Sequence, residues 1–427
     1  PNAATIDGVS GESNITDMWK EHYQCIFNVS ANSTVHRDFV NSKLNNAGSD
    51  FVFNPVTPLC VKNCIKELKT GKAAGSDGIC SEHFLHADPI VTVILSFLFN
   101  AMLTHGYLPS AFMDTIIIPI PKSKSGLMSS KDNYRPVAIA TSISKLFELL
   151  LLNRLELFLY TCDNQFGFKE NHSTDMCLFA LRQVIEYYNS HRSPVFVCFL
   201  DASKAFDRTN HWLLFKKLIH RNVPLLYVRI LKFWYCNQMY VVQWGSYFST
   251  KFGATNGVKQ GGILSPKLYT VYTDELSNRL KSKLVGCSFQ NVIINHLMFA
   301  DDLTLLSPSA KGLQLLINEC VQFAKEHDMC FNVKKSACMI FKTRQCLPIY
   351  KVPTLFLDNS EIYYVDSHKY LGFILSTNND DKDIARQLRA YITKANILIR
   401  VFSKCSDQVK VKLFESYCTN MYCLYLW

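Results

Sequence analysis

The chain has 427 residues, with 45 lysines and arginines against 35 aspartates and glutamates, a formal charge of +10 and 48% hydrophobic residues. This composition is typical of a globular protein of two or three domains, and it excludes a disordered chain or a small disulfide-dependent scaffold. The positive charge is compatible with a polyanionic partner but does not identify one.

Two features of the sequence indicate in which cellular compartment the protein resides. The longest apolar stretch, Ile90 to Leu103, contains Thr, Ser and Asn and is shorter than the roughly 20 residues that span a bilayer, so it predicts a buried helix. The 16 cysteines are scattered and follow no signal peptide. We therefore predict reduced thiols in an intracellular protein.

The N-terminal stretch predicts a docking helix, and the C-terminal run predicts a fragment. The N-terminal stretch to about Asp50 is polar, but Trp19, Tyr23 and Phe27 recur at helical spacing and predict one helix that docks on a neighbour. The C-terminal run 422–427 is aromatic and predicts a fragment of a longer polypeptide, because such side chains normally pack.

Between the ends, short apolar segments alternate with amphipathic ones, which predicts α+β layers. Predicted strands are Asp114 to Ile120, Val195 to Leu200, Leu297 to Phe299, Leu303 to Leu306, Cys338 to Phe341 and Tyr370 to Leu375. Predicted helices are Cys60 to Thr70, Ile143 to Tyr160, Thr174 to Asn189, His211 to Arg221, Leu225 to Tyr235, Pro266 to Leu284 and Lys311 to Glu326. From Asp383 onward the pattern is purely helical and predicts a separate C-terminal lobe.

Three acids stand at the ends of apolar strands. Asp201 ends one predicted strand, and Asp301 and Asp302 separate two others. Another Asp-Asp pair, Asp380 with Asp381, lies among polar residues and predicts only a solvated loop. Carboxylates buried close together are costly unless cations neutralise them, and Mg²⁺ is a cation that binds such oxygens.

Three motifs in a fixed order carry a resemblance to a known family. They are Phe199–Asp207 (FLDASKAFD), Gly257–Pro266 (GVKQGGILSP) and Phe299–Asp302 (FADD). The chain resembles reverse transcriptases, in particular those of non-LTR (LINE-type) retrotransposons. Supporting blocks are Gly71–Ile79, Ile118–Lys122, Asn133–Pro136, Asn164–Phe168, Asn332–Ser336 and Tyr370–Gly372.

The resemblance implies a right-hand polymerase with fingers, palm and thumb and a helical C-terminal lobe. Residues 1–54 would be an N-terminal linker, 55–195 the fingers with part of the palm, 196–375 the palm, and 376–427 the start of a truncated thumb. The implied activity is RNA-directed DNA synthesis by two-metal nucleotidyl transfer, in the service of retrotransposition.

The resemblance also implies a metal site. Asp201, Asp301, Asp302 and the carbonyl of Ala202 would hold two Mg²⁺ ions, with Mn²⁺ as a substitute. Lys335 would protonate the pyrophosphate leaving group, a general-acid role.

Further residues are implied to bind substrates. Phe206 would sit beneath the sugar and exclude a ribose 2′-hydroxyl, whereas the other positions would bind phosphates, bases or the primer. Lys122, Arg135, Gln260 and Gly261 would meet the incoming nucleotide or template, Tyr370, Leu371 and Gly372 would grip the primer, and Arg386 and Arg389 would bind duplex phosphates.

The implied partners are an RNA template, a DNA primer and dNTPs, with an upstream endonuclease domain in the full polypeptide and no membrane. The implied location is a cytoplasmic ribonucleoprotein and the nucleus. A group II intron or retron-type reverse transcriptase has the same palm and remains an alternative. An RNA-dependent RNA polymerase would share the acids but should not carry Phe206 or these fingers blocks. A domesticated, non-catalytic RNA-binding protein also remains open.

Overall fold

A computed structural model describes residues 4–28, 33–46, 54–123, 126–290, 292–343 and 352–419. The aromatic run 422–427, which predicts a fragment, lies outside the described residues. The chain forms two compact units. The first contains residues 1–161, 204–275 and 324–330, and the second contains residues 162–203, 276–323 and 331–427.

The described residues include α-helices in both units. In chain order they are α1 (Glu12–Ile26), α2 (Ser33–Asn45), α3 (Pro58–Glu67), α4 (Ser81–Leu85), α5 (Ile90–His105), α6 (Ser142–Leu155), α7 (Thr174–Ser190), α8 (His211–His220), α9 (Leu225–Cys236), α10 (Ser265–Ser282), α11 (Ala310–Glu326), α12 (Asp381–Val401) and α13 (Asp407–Tyr417).

The described strands are two to eight residues long. They are β1 (Thr5–Ile6), β2 (Val9–Ser10), β3 (Asp114–Pro121), β4 (Tyr134–Ala140), β5 (Val195–Asp201), β6 (Met239–Trp244), β7 (Tyr247–Phe248), β8 (Phe252–Gly253), β9 (Cys287–Phe289), β10 (Val292–Ile294), β11 (His296–Phe299), β12 (Asp302–Ser307), β13 (Ala337–Phe341), β14 (Leu355–Leu357), β15 (Ser360–Ile362), β16 (Ser367–Tyr370) and β17 (Phe373–Ser376). The mixture confirms the predicted α+β class.

The first unit is built on a five-stranded sheet in the order β4-β3-β6-β7, with β8 also paired to β6. Helix α1 packs on this sheet, and its Trp19 is fully buried, with Tyr23 and Tyr134 among its ring contacts. The predicted docking helix at the N-terminus is therefore confirmed. Strands β4 and β6 were not predicted from the sequence. Pro136 weakens the strand pattern of β4 because proline has no backbone N–H to donate.

The second unit contains an antiparallel sheet in the order β11-β12-β5-β13. Six consecutive residues of β5, from Val195 to Leu200, are buried, so this strand lies inside the sheet with both faces covered. Helix α7 contributes Cys177, Leu178 and Leu181 to the same core. The strand predicted before Asp201 is thus confirmed, and the structure places it between β12 and β13.

One predicted strand was wrong. Residues 370–375 form the end of β16, a tight turn and β17, not a single strand. Leu371 and Gly372 both have positive φ, 45° and 84°, which is the backbone of a two-residue hairpin turn. The apolar pattern concealed the turn because only Gly372 signals it.

Two predicted helices also differ from the structure. The predicted helix from Ile143 to Tyr160 ends at Leu155 and continues as a 3₁₀ turn, Glu156–Phe158. Helix α5 was predicted to be buried, but only one face is: Phe99 is fully buried and Phe97 is 70% exposed. No helix within the described ranges is both long and apolar enough to cross a membrane.

Candidate active site

The acids Asp201 and Asp302 face each other on neighbouring strands of the second unit. Asp201 is the last residue of β5 and Asp302 is the first of β12, and the antiparallel register pairs them directly. Asp301 occupies the turn between β11 and β12. Like charges directly opposite each other in a sheet repel, so this register is unfavourable without a compensating cation.

Burial and mutual repulsion both act on these carboxyl groups. Partial burial, and then the charges of Asp301 and Asp201, raise the pKa of Asp302 to about 6. Partial burial raises the pKa of Asp301 as well, with a further contribution from Asp201. The protein therefore holds negative charge in a place that disfavours it, which is a feature of functional sites.

The backbone of Asp201 is fixed on both sides by the segment before β13. The Asn332 N–H donates to the Asp201 carbonyl at 2.8 Å, and the Asp201 N–H donates to the Ser336 hydroxyl at 3.2 Å. Ala202 forms a β-bridge with Phe331, and the Lys335 ammonium lies 3.8 Å from an Asp201 carboxylate oxygen. The structure thus brings Lys335 to Asp201, and Ser336 is a supporting residue that sequence reasoning did not single out.

The donor set at this place consists of hard carboxylate oxygens, the ligands that Mg²⁺ and Mn²⁺ prefer. In the part of the chain that the structure describes, no group of three His, Cys, Asp or Glu side chains is already gathered around a common point. The raised pKa values of Asp301 and Asp302 still fit a cation, because a cation would offset the burial and the repulsion that raise them.

Gln260 lies in the first unit, in the loop before α10. The Gln260 side-chain amide donates to the Asp207 carboxylate at 2.7 Å, and the Gln260 backbone carbonyl accepts from the Ala138 N–H at 2.8 Å. Gly257 has φ of 94°, and a Cβ there would lie 2.8 Å from the Asp207 carbonyl oxygen. The loop therefore requires glycine at 257 to pack against Asp207.

A buried ion pair holds the same loop. The Lys259 ammonium lies 2.5 Å from the Glu148 carboxylate, and both side chains are at most 4% exposed. Glu148 also accepts the N–H groups of Ile263 at 2.6 Å and Leu264 at 3.3 Å. No local pattern indicates this contact, because Glu148 lies among leucines in α6, far from Lys259 along the chain.

The other predicted nucleotide-binding residues of the first unit are more exposed. The Phe206 ring is half-buried and stacks on Tyr269 with centroids 4.6 Å apart. The Lys122 ammonium donates to the Asp132 carbonyl at 2.8 Å, and Arg135 is exposed on β4. Gly261 is exposed as well.

The predicted primer-binding and duplex-binding residues lie in the second unit. Tyr370 is buried against Phe199, so the β16–β17 turn presents Leu371 and Gly372 instead. Arg386 donates to the buried Asp383 carboxylate at 2.6 Å and to the Gly372 carbonyl at 2.7 Å. Arg386 is thus already bound within the unit, whereas Arg389 is exposed on α12.

Comparison with known proteins decides which family these features belong to. A sequence model of the family "Reverse transcriptase (RNA-dependent DNA polymerase)" matches residues 120–375, which include Asp201, Gln260, Asp301 and Asp302. The chain belongs to the reverse transcriptase family. The prediction of a non-LTR-type reverse transcriptase domain is confirmed.

Three curated relatives show the extent of the similarity. The chain is 30% identical over 385 residues to the RNA-directed DNA polymerase from mobile element jockey of Drosophila funebris, covering 85% of this chain and 40% of the relative. It is 28% identical to the probable RNA-directed DNA polymerase from transposon X-element of Drosophila melanogaster, covering 86% and 40%. It is 26% identical to the Pol polyprotein from type-2 retrotransposable element R2DM of the same species, covering 77% and 31%. The chain therefore spans well under half the length of these relatives.

Reverse transcriptase domains in general depend on divalent metal ions and act on an RNA template, a nucleic-acid primer and dNTPs. The carboxylates at the end of β5, at the start of β12 and in the β11–β12 turn could hold such ions.

Proposed function

We propose that this chain is the polymerase segment of a retrotransposon protein and extends a primer 3′-hydroxyl on an RNA template, using dNTPs. The observation that carries the proposal is the register of Asp201 opposite Asp302, with Asp301 in the adjoining turn. The pKa values of Asp301 and Asp302 are raised there, and paired like charges do not stabilise a sheet, which favours a role in binding cations.

In this proposal Asp201, Asp301, Asp302 and the Ala202 carbonyl hold two Mg²⁺ ions, or Mn²⁺ in their place. When bound, the ions would stabilise charge on the attacking and leaving oxygens. Lys335 is the candidate for protonating the leaving pyrophosphate, since its ammonium lies near Asp201. Gln260 and Gly261 contact the template or nucleotide, Lys122 and Arg135 bind the triphosphate, and Leu371 with Gly372 holds the primer end.

The test is primer extension on an RNA template with purified protein and Mg²⁺. Asp201→Asn and Asp301→Asn should each lower the rate by roughly 1,000-fold or more, because each removes charge that the reaction requires. Asp163→Asn is the matched control, since Asp163 is fully exposed in the same unit. The control should retain wild-type activity.

Full activity of either Asp variant would contradict the proposal. RNA binding without synthesis by the wild-type protein would instead favour the non-catalytic RNA-binding alternative. Synthesis that accepts ribonucleotides as readily as deoxynucleotides would favour an RNA polymerase.

The larger arrangement belongs to the same proposal. The right-hand layout, the four segments 1–54, 55–195, 196–375 and 376–427, and an upstream endonuclease are expectations from the resemblance. So are the cytoplasmic and nuclear locations. The relatives are long enough to carry further domains, because this chain covers 40% or less of each of the three described above.

A further inference from the structure

The turn that carries Asp301 contains an unfavourable backbone conformation. Phe299 pairs with Asp302 across the hairpin, so Ala300 and Asp301 are its two turn residues. Ala300 has φ of 58°, in the left-handed region where an L-residue with a Cβ is strained. Turns with positive φ at the first position favour glycine, so Ala300 needs stabilisation from its surroundings.

The Gln165 side chain supplies contacts to this strained residue. Its amide oxygen accepts the Ala300 N–H at 3.0 Å, and its amide nitrogen donates to the Ala300 carbonyl at 3.4 Å. The same oxygen accepts the Gly167 N–H at 2.8 Å. Gln165 is 2% exposed, so water does not compete for these bonds.

The backbone around Gln165 runs along β11 and fixes where the side chain begins. The Met298 N–H donates to the Asn164 carbonyl and the Phe166 N–H donates to the Met298 carbonyl, both at 2.8 Å. A Cβ at Gly167 would lie 2.2 Å from the Ala300 nitrogen, so only glycine permits this approach. The segment 164–167 is therefore pressed against the turn from the side away from β12.

We propose that Gln165 is a positioning residue, which holds Ala300 in its left-handed conformation and thereby sets the place of the Asp301 and Asp302 carboxylates. This rests on the proposed function, in which these carboxylates bind metal ions. A residue that acts through a metal ligand in this way typically changes metal affinity by roughly 10- to 100-fold when removed.

The test compares Gln165→Met with Gln238→Met. Gln238 is a matched control because it is also a buried glutamine, 4% exposed, and donates to Thr115 in the first unit. Mn²⁺ binding is measured by electron paramagnetic resonance, from the loss of the free-ion signal, in a complex with RNA template, dideoxy-terminated primer and dNTP. Extension rates against Mg²⁺ concentration give a second readout.

Gln165→Met should weaken Mn²⁺ binding by roughly 10- to 100-fold and raise the half-saturating Mg²⁺ concentration by a similar factor. Gln238→Met should lower thermal stability without changing either metal readout. Equal metal affinity in wild type and Gln165→Met would overturn the inference. If Asp301→Asn also retained wild-type metal binding and activity, the proposed function would fail instead.

A second pair of variants, Ala300→Gly and the double variant Ala300→Gly with Gln165→Met, keeps the test decisive if Gln165→Met alone does not fold. Ala300→Gly removes the strain of the turn and so favours folding, but glycine is equally free to leave the left-handed region, so Gln165 is still needed to hold the turn in place. The double variant is then compared with Ala300→Gly alone in the same Mn²⁺ titration. Weaker binding by the double variant supports the positioning role, and equal binding overturns it.

Discussion

Asp207 is a carboxyl group that folding removes from water. It is 4% exposed, and burial raises its pKa from the usual 3.8 to about 7, although the Gln260 hydrogen bond and the charges of Lys204, Lys122 and Arg208 act in the opposite direction. Between pH 4 and 7 the folded protein keeps this proton while the unfolded chain loses it. The free energy of unfolding contributed by Asp207 therefore falls as pH rises through that window and is level above it.

Asp207→Asn should remove this pH dependence. The free energy of unfolding of the variant minus that of wild type should increase by about 1.4 kcal/mol or less for each pH unit between pH 5 and 7, because only the wild type loses stability over that range. Urea unfolding at pH 5, 6, 7 and 8 measures it, and the titration of other groups cancels in the difference. A constant difference across that range would show that Asp207 ionises normally in the folded protein.

Phe206 is the residue on which sugar selectivity is predicted to depend. Truncation in Phe206→Ala should raise the ratio of kcat/KM for ribonucleotides over deoxynucleotides by roughly 10- to 200-fold, because the bulk that opposes the 2′-hydroxyl is gone. Tyr269→Phe keeps the ring on which Phe206 stacks and should leave the ratio unchanged. An unchanged ratio in Phe206→Ala would make Phe206 a packing residue.

At the scale of elements, the loop before α10 depends on helix α6 through the buried pair of Glu148 with Lys259. Lys259 also lies over the Trp234 ring, 4.4 Å from its centroid. The two buried charges compensate each other, so losing one leaves the other without a counter-charge in a site that excludes water.

Glu148→Gln should therefore lower the free energy of unfolding by about 3–5 kcal/mol. Asp114→Asn breaks the more exposed pair of Asp114 with Lys251 and should cost about 1 kcal/mol or less. Urea unfolding compares the two variants. The pair is unimportant for stability if Glu148→Gln and Asp114→Asn lose the same amount.

The sequence predicted the elements that carry acids because their signals are local. An apolar run that ends in Asp201, and two that flank Asp301 and Asp302, predict strands whose ends gather carboxylates. The contacts that orient the site are not local. Gln165 reaches Ala300 across 135 positions and Glu148 reaches Ile263 across 115, and no periodicity in one sequence indicates such pairs.

Predictions from local patterns were also wrong where a turn interrupts an apolar run. Between Tyr370 and Leu375 only Gly372 departs from the hydrophobic pattern, yet the chain reverses there because Leu371 accepts positive φ. Arg386 likewise belongs to a basic helix face by spacing. Its bonds to Asp383 and Gly372 could be seen only in three dimensions.

For the whole molecule, affinity for a primed template should be largely electrostatic. Log affinity should fall linearly with log salt, with a slope of about −0.7 to −0.9 for each phosphate neutralised. Arg389→Ala should reduce the steepness of that slope by about the contribution of one phosphate contact. It should weaken the affinity for all template sequences by the same factor. Filter binding or fluorescence anisotropy measures the slope. Salt is varied from about 50 to 300 mM, a range in which such effects are large.

Two controls separate charge from stability. Lys62→Ala removes an exposed charge from α3 in the first unit and should leave the slope unchanged if Arg389 acts specifically. Arg386→Ala should instead lower thermal stability, because it leaves the buried Asp383 without its cation. A slope that is the same in wild type and Arg389→Ala would show that the α12 surface is only solvated.

The pairing of β12 with β11 on one side and β5 on the other limits which insertions and deletions the protein's own sequence tolerates. Deleting one residue from Leu303–Leu306 would either turn each following side chain to the opposite face or, if those side chains kept their places, move Asp302 out of register with Asp201. Insertions in surface loops carry no such penalty. Among inherited copies of a gene for this protein, length differences should therefore be absent from β5 and β12 and concentrate in the connecting loops.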